Sequence, residues 1–128
     1  MSDASEAEKN RQMLETMYAC MLSGDLAGVL EGVSDDVITH QSPVLPYGGV
    51  YHGKQALASL LAETIFPLID GAMIKMTAPL MAADDRVIAS FTVPARRTGK
   101  DLVLLEQSTL RNGKVVELRV YYFDPSLM

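Results

Sequence analysis

Apolar residues change their period once along this chain of 128 residues, and that change restricts the architectures open to it. Up to Ile65 they recur every three or four positions: Leu14, Met17, Tyr18 and Met21, then Leu26, Val29 and Leu30, then Leu57, Leu60, Leu61 and Ile65. That spacing lines one face of a helix. From Met73 onward, strand-like runs are separated by Asp84-Asp85, Thr98-Gly99-Lys100 and Asn112-Gly113, residue types that turn the chain. Helices first and consecutive strands afterwards predict an α+β fold with an antiparallel meander.

The boundaries follow from stop signals. The first helix is expected from about Ala7 to Leu22, closed by Gly24, with Asp25 capping a short second helix. A third starts near Lys54 and is expected to end at Pro67, because the residue before a proline is pushed out of helical geometry. Strands are expected near 37–41, 73–82, 86–95, 101–111 and 114–123. One domain spanning residues 1–128 accounts for the length, with residues 1–6 expected to be disordered and no repeat or linker.

Composition excludes several functions. The chain is 48% apolar and 21% charged, an ordinary globular balance. Its net charge of −5 argues against a nucleic-acid partner, since the tightest basic cluster is Arg96-Arg97 with Lys100 nearby. The longest apolar stretch, residues 56–74, is interrupted by Glu63, Pro67 and Asp70, so no membrane span is expected. The N-terminus is polar and acidic, unlike a signal peptide, and a soluble cytoplasmic protein is expected. Cys20, the only cysteine, lies mid-helix and reads as an inert thiol. His40 and His52 match no ligand spacing, so no metal is expected. Gly48 to Gln55 nearly matches a phosphate-binding loop, but Gln55 stands where that loop needs Ser or Thr, and no cofactor is expected.

Asn112-Gly113 allows the last hairpin to be drawn residue by residue, since the pair fits a type I′ turn with both residues at positive φ. Continued without interruption, this register puts Glu106 opposite Arg119 and Ser108 opposite Glu117 on one face. The other face then carries Val103, Leu105, Gln107, Leu118, Val120 and Tyr122.

Four segments in order carry a family likeness: Gly24-Asp25-Leu26 after the first helix, Asp35-Asp36 before a strand, Tyr47-Gly48-Gly49-Val50-Tyr51-His52-Gly53, and Gly113-Lys114-Val115 through Tyr121-Tyr122-Phe123-Asp124-Pro125. Together they resemble the nuclear-transport-factor-2-like superfamily of ketosteroid isomerases, SnoaL-like polyketide cyclases and limonene epoxide hydrolases. The resemblance implies a cone-shaped, curved, mainly antiparallel sheet wrapped around N-terminal helices, with an internal pocket. Its known chemistry does not transfer. The isomerases' Asp base matches Gln41, whose amide cannot accept a proton near neutral pH. Their oxyanion acid matches approximately Leu105, and their oxyanion Tyr matches Met17, with Tyr18 one residue further on. The epoxide hydrolases' Asp matches Val120.

By the same resemblance Leu118, Val120 and Tyr122 face inward. The expected ligand-binding set is therefore Met17, Met21, Gln41, Leu105, Gln107, Leu118, Val120 and Tyr122, with Tyr47 and Tyr51 at the rim, for a small apolar organic ligand. Glu106 and Arg119 are expected on the outer face, where this superfamily often forms a homodimer. His40 is the candidate proton carrier, since its unshifted pKa suits transfer at neutral pH, with Tyr18 or Tyr122 as an oxygen donor. Regular alternation, however, points His40 away whenever Gln41 points in. The leading expectation is a cofactor-independent isomerase, cyclase, dehydratase or hydrolase working by proton transfer. The alternative is a non-catalytic ligand-binding or accessory dimerising domain.

Overall fold

The computed structural model describes residues 3–128. Helix α1 runs Asp3–Leu22. Residues 3–6, expected to be disordered, are thus helical, while Met1 and Ser2 lie outside the described residues. Gly24, at φ +75°, reverses the chain after α1, and the Asp25 carboxylate accepts the Gly28 N–H at 2.9 Å to cap α2 (Leu26–Glu31). α1 buries Leu14 and Tyr18 against the sheet and fixes its start with Asn10, a buried amide whose Nδ2 donates to the Asp84 carbonyl at 3.4 Å. α3 (Lys54–Ser59) passes into a π-helical turn (Leu60–Ile65) and a last short helix, α4 (Phe66–Leu68). The helix therefore continues past Pro67, which occupies the first turn of α4, where a missing N–H costs nothing. The chain becomes extended at Ile69.

Seven strands form one sheet: β1 (Val33–Gln41), β2 (Gly49–His52), β3 (Lys75–Met76), β4 (Met81–Ala83), β5 (Arg86–Pro94), β6 (Asp101–Arg111) and β7 (Lys114–Tyr122). Their order is β2-β1-β7-β6-β5-β3, with β4 also on β5. Only β1 against β7 is parallel. The single strand expected over 73–82 is two short ones, with Pro79 in the gap, where a residue lacking N–H cannot continue the ladder. β2 was not expected at all. Its loop from β1 closes only around Gly48: a Cβ there would lie 2.2 Å from the Ser42 carbonyl oxygen.

The β6–β7 hairpin corrects the sequence reading in one specific way. Asn112 and Gly113 have φ of +54° and +75°, the turn expected, and Arg111 pairs with Lys114 and Leu110 with Val115. Then the register slips by one residue, so that Thr109 pairs with Glu117 and Glu106 with Val120. Val116 is the extra residue of a β-bulge, and beyond it β7 presents the opposite set of side chains to the core. Val115 is 2% exposed on one side of the bulge and Val120 6% on the other. β6 keeps one parity throughout, burying Leu102, Leu104, Ser108 and Leu110. Glu106 belongs to that inward set. Leu105 and Gln107, expected in the pocket, point to the opposite face, and Leu105 is 45% exposed.

The core lies between α1, α3 and the inner sheet face, with Val33, Val37, Val87, Val93, Leu102 and Val115 almost fully buried. Each such side chain contributes about 1.5–3 kcal/mol relative to exposure, before conformational entropy is subtracted.

Candidate functional site

A small void remains in that core, of about 60 Å³, bounded by α1, the α3–α4 segment, the inner faces of β5, β6 and β7, Gln41 of β1, and Met128. A second interior void of about 50 Å³ shares Tyr18, Met21, Leu57, Leu61, Glu106 and Leu118 with it and extends to Met17 and Val115. The walls are almost entirely hydrocarbon. Against them stand two polar poles.

The first pole is Glu106 with Tyr18. The Tyr18 hydroxyl donates to Glu106 Oε1 at 2.5 Å, linking α1 to β6 across the interior. Burial raises the Glu106 pKa from its ordinary value, and the tyrosine's hydrogen bond opposes only part of that. Tyr18 is pushed well above its usual value by burial first, then by the carboxylate beside it. Its ring packs against Phe91 with centroids 5.8 Å apart, which fixes the direction of the hydroxyl.

The second pole is Gln41 with Tyr122. The Tyr122 hydroxyl lies 3.4 Å from Gln41 Oε1 and 3.2 Å from the Tyr47 hydroxyl, and Tyr51 donates to the Tyr47 carbonyl at 2.6 Å. The Tyr122 pKa is raised by burial first, then by Tyr47 and the charge of Glu106, so the two poles act on one another electrostatically. Strand pairing explains why: Leu104 is opposite Tyr122 and Glu106 opposite Val120, making Glu106 and Tyr122 diagonal neighbours on one face. Thr39, also on the inner side of β1, is fully buried, and its hydroxyl has no hydrogen-bond partner among the described residues.

Of the residues expected at a site, Tyr18, Met21, Gln41, Leu118, Val120 and Tyr122 line the first void. Met17 lines the second, Tyr47 an outer groove, and Tyr51 supports Tyr47. Leu105 and Gln107 are outside, for the register reason given above. His40 is outside as well. β1 buries Val37, Thr39 and Gln41, so strict alternation turns His40 to the outer face, where Nε2 is 3.0 Å from Glu117 Oε2, with Arg119 also within 3.8 Å of that oxygen. It lines neither interior void and cannot carry a proton there. His52 is exposed at the edge strand. Glu106, expected outside, is the interior carboxyl that the sequence reading missed. The one signal for it was its helical partner, since Tyr18 is the hydroxyl nearest the core stripe of α1. Among the described residues no cluster of His, Cys, Asp or Glu could hold a metal, and no helix is long and apolar enough to cross a membrane.

No family model matches this sequence. Uncharacterized proteins of Mycobacterium tuberculosis and Mycobacterium bovis are 27% identical over 117 residues, covering 89% of this chain and 88% of theirs. Among solved structures, Bal32a from a soil-derived mobile gene cassette superposes with a TM-score of 0.80 at 23% identity, over 95% of each chain. A candidate ketosteroid isomerase from Kribbella flavida gives 0.76 at 14% identity, over 93% of this chain and 81% of that one. A de novo designed protein with a curved β-sheet gives 0.75 at 17% identity, over 98% and 90%. The chain has the nuclear-transport-factor-2-like fold, a cone-shaped curved sheet packed against helices. That a designed sheet matches as well as a candidate isomerase does shows how little the fold alone says about chemistry.

Proposed function

We propose that this protein is a cofactor-independent enzyme that moves a proton within a small, largely apolar organic substrate, with Glu106 as the proton carrier. The observation that supports this reading is a carboxyl held in a hydrocarbon cavity with a raised pKa and one hydroxyl partner. Burial of this kind tunes a carboxylate toward the basicity of a general base at neutral pH. Tyr18 occupies one carboxylate oxygen and leaves the other free to take a proton.

The reaction class follows from having a single interior carboxyl. A carbonyl oxygen held by the Tyr122 hydroxyl places the adjacent C–H within reach of Glu106 across the cavity. The carboxylate takes that proton, the C–H electron pair moves onto the carbonyl oxygen as an enolate, and the Tyr122 O–H stabilises the charge. Glu106, now neutral, returns the same proton to a different carbon, which completes an isomerisation. Gln41, which accepts the Tyr122 O–H before substrate binds, gives it up to the substrate oxygen and takes no proton, while the Tyr47 hydroxyl donates to Tyr122 and orients it. The test is solvent deuterium exchange into a panel of cyclic enones and aromatic ketones, followed by NMR. Wild type should exchange at least one of them, and Glu106→Gln should lose about 100-fold or more of that rate. Equal rates in the two proteins would remove Glu106 as the carrier.

A second reading is favoured by Gln41, which leaves the cavity without a second acid. It holds that the domain binds such a ligand without turning it over. Saturable binding of a panel member without exchange would select it.

We further propose that the protein is a homodimer through the outer face of the sheet. There Val103, Leu105, Tyr121 and Phe123 are exposed together, Phe123 at 87%, around the His40–Glu117–Arg119 group. Light scattering at micromolar concentration checks it, a monomer counting against it.

A further inference from the structure

A void of about 60 Å³ holds a few waters, whereas organic ligands occupy sites of roughly 300–1,000 Å³. On the far side of the same wall lies a groove of about 790 Å³, lined by Val44, Leu45, Pro46 and Leu68 with Arg97 and Asp124 at its edge. The dividing wall is thin. Met128 borders both spaces, and beside it the Tyr122 hydroxyl on the inside meets the Tyr47 hydroxyl on the outside, 3.2 Å apart. At this point the wall opens when a flexible thioether side chain swings and a neutral hydrogen bond breaks.

The segment that carries Met128 is held from outside the core. It is a short 3-10 turn, Pro125–Leu127, capped by the Asp124 carboxylate, and it has no strand partner. Its anchors are on the β5–β6 turn: Arg97 donates through Nε to the Met128 main-chain oxygen at 3.1 Å and through Nη2 to the Ser126 oxygen at 2.8 Å, and Thr98 donates to the Leu127 oxygen at 2.9 Å. The two Arg97 hydrogen bonds are exposed, and bonds of that kind are individually weak and locally openable. The opposite wall is equally adaptable, because the π-helical turn Leu60–Ile65 puts Leu61 and Ile65 into the void while Thr64 faces the groove. Such turns recur at functional sites.

We infer that the inner void and the outer groove are two chambers of one elongated binding site, closed by Met128 and latched by Arg97, for a ligand with a compact oxygen-bearing head and a larger hydrocarbon body. The head enters between the Glu106 and Tyr122 poles; the body lies along Val44, Leu45, Pro46 and Leu68. This deepens the proton-transfer reading above and depends on it only for the chemistry at the head.

The measurement is titration with the apolar fluorophore N-phenyl-1-naphthylamine, chosen because it needs no turnover. One molecule should bind per chain. Met128→Ala and Arg97→Ala, which lower the population of the closed state, should each tighten binding about fivefold. Val44→Asp in the groove and Met21→Phe in the inner chamber should each weaken that same event. Thermal melting of every variant shows whether it folds, and Val44 and Arg97 are surface positions whose replacement leaves the core intact. Two independent binding events, an unchanged affinity in Met128→Ala, or a loss in Val44→Asp with none in Met21→Phe would overturn the joined site. Deuterium exchange separates the two readings: one joint binding event without dependence of exchange on Glu106 would leave the joined site standing and remove the proton-transfer reading, whereas dependence on Glu106 with no joint effect of Val44→Asp and Met21→Phe would mean that the inner void opens by another route.

Discussion

Two carboxylates on the same sheet meet opposite fates. Glu106 on β6 points inward to a single tyrosine in a hydrocarbon cavity, and Glu117 on β7 points outward to His40 and Arg119 at the wet face. They are the same residue type, each beside a titratable partner, and burial raises the proton affinity of the inner one. The side of the sheet separates them: β6 keeps one parity and turns Glu106 inward, while the bulge at Val116 reverses β7 and turns Glu117 outward.

The largest expected difference between them is in turnover. Glu106→Gln keeps the shape and the Tyr18 contact while removing the base, so exchange should fall about 100-fold or more. Glu117→Gln should leave the exchange rate within about twofold, since it lies outside the cavity. An equal loss in both would erase the contrast. The outer face answers to a different probe. Leu105→Asp places a charge amid the exposed apolar residues and should weaken self-association about tenfold or more, measured by sedimentation or light scattering, with exchange per chain preserved. An unchanged association constant would mean that the exposed patch is not the contact.

A third effect concerns stability against pH. The native protein holds Glu106's proton more tightly than the unfolded chain, whose carboxylate titrates at about 4.5. The native state therefore binds more protons, and stability falls as pH rises. The contribution is fully present below the unfolded value and is lost as pH climbs through the raised native value. Denaturant midpoints of Glu106→Gln should gain on wild type across that window, with Tyr18 of α1 and Tyr122 of β7 as the neighbouring titratable groups. A constant gap between the two proteins would show that Glu106 is not perturbed.

Much of the architecture was legible because its signals are local. Gly24, Asp25 and Asn112-Gly113 each impose a backbone geometry on their own neighbours, and the helices and turn formed where those residues stand. The inward face of β7 was also legible, through the resemblance. The matching face of β6 was not. Its two sides are nearly equal in character, with Val103 and Leu105 against Leu102 and Leu104, so alternation cannot choose between them. The bulge that decides the matter has no glycine to announce it, only Val115-Val116. A slip of one residue exchanged Glu106 for Leu105 and Gln107, and so the interior carboxyl was assigned to the surface. His40 failed for a simpler reason: alternation with Gln41 placed it outside, and no bulge rescued it.

The smallest effect lies at Thr39, and it sharpens the contrast between a polar group the core employs and one it merely contains. Tyr18 and Glu106 satisfy each other, whereas the Thr39 hydroxyl is buried with no partner among the described residues. Burying an unmade hydrogen bond costs about 1–3 kcal/mol. Thr39→Val keeps the β-branched shape that suits a strand and replaces the hydroxyl with a methyl of similar volume. The variant should therefore be more stable by about 1 kcal/mol, read as a higher denaturant midpoint at unchanged slope. A loss of stability of that size would mean that the hydroxyl is satisfied in solution, by a water in the void beside Gln41, and that the inner face of β1 contributes a third polar contact to whatever enters the cavity.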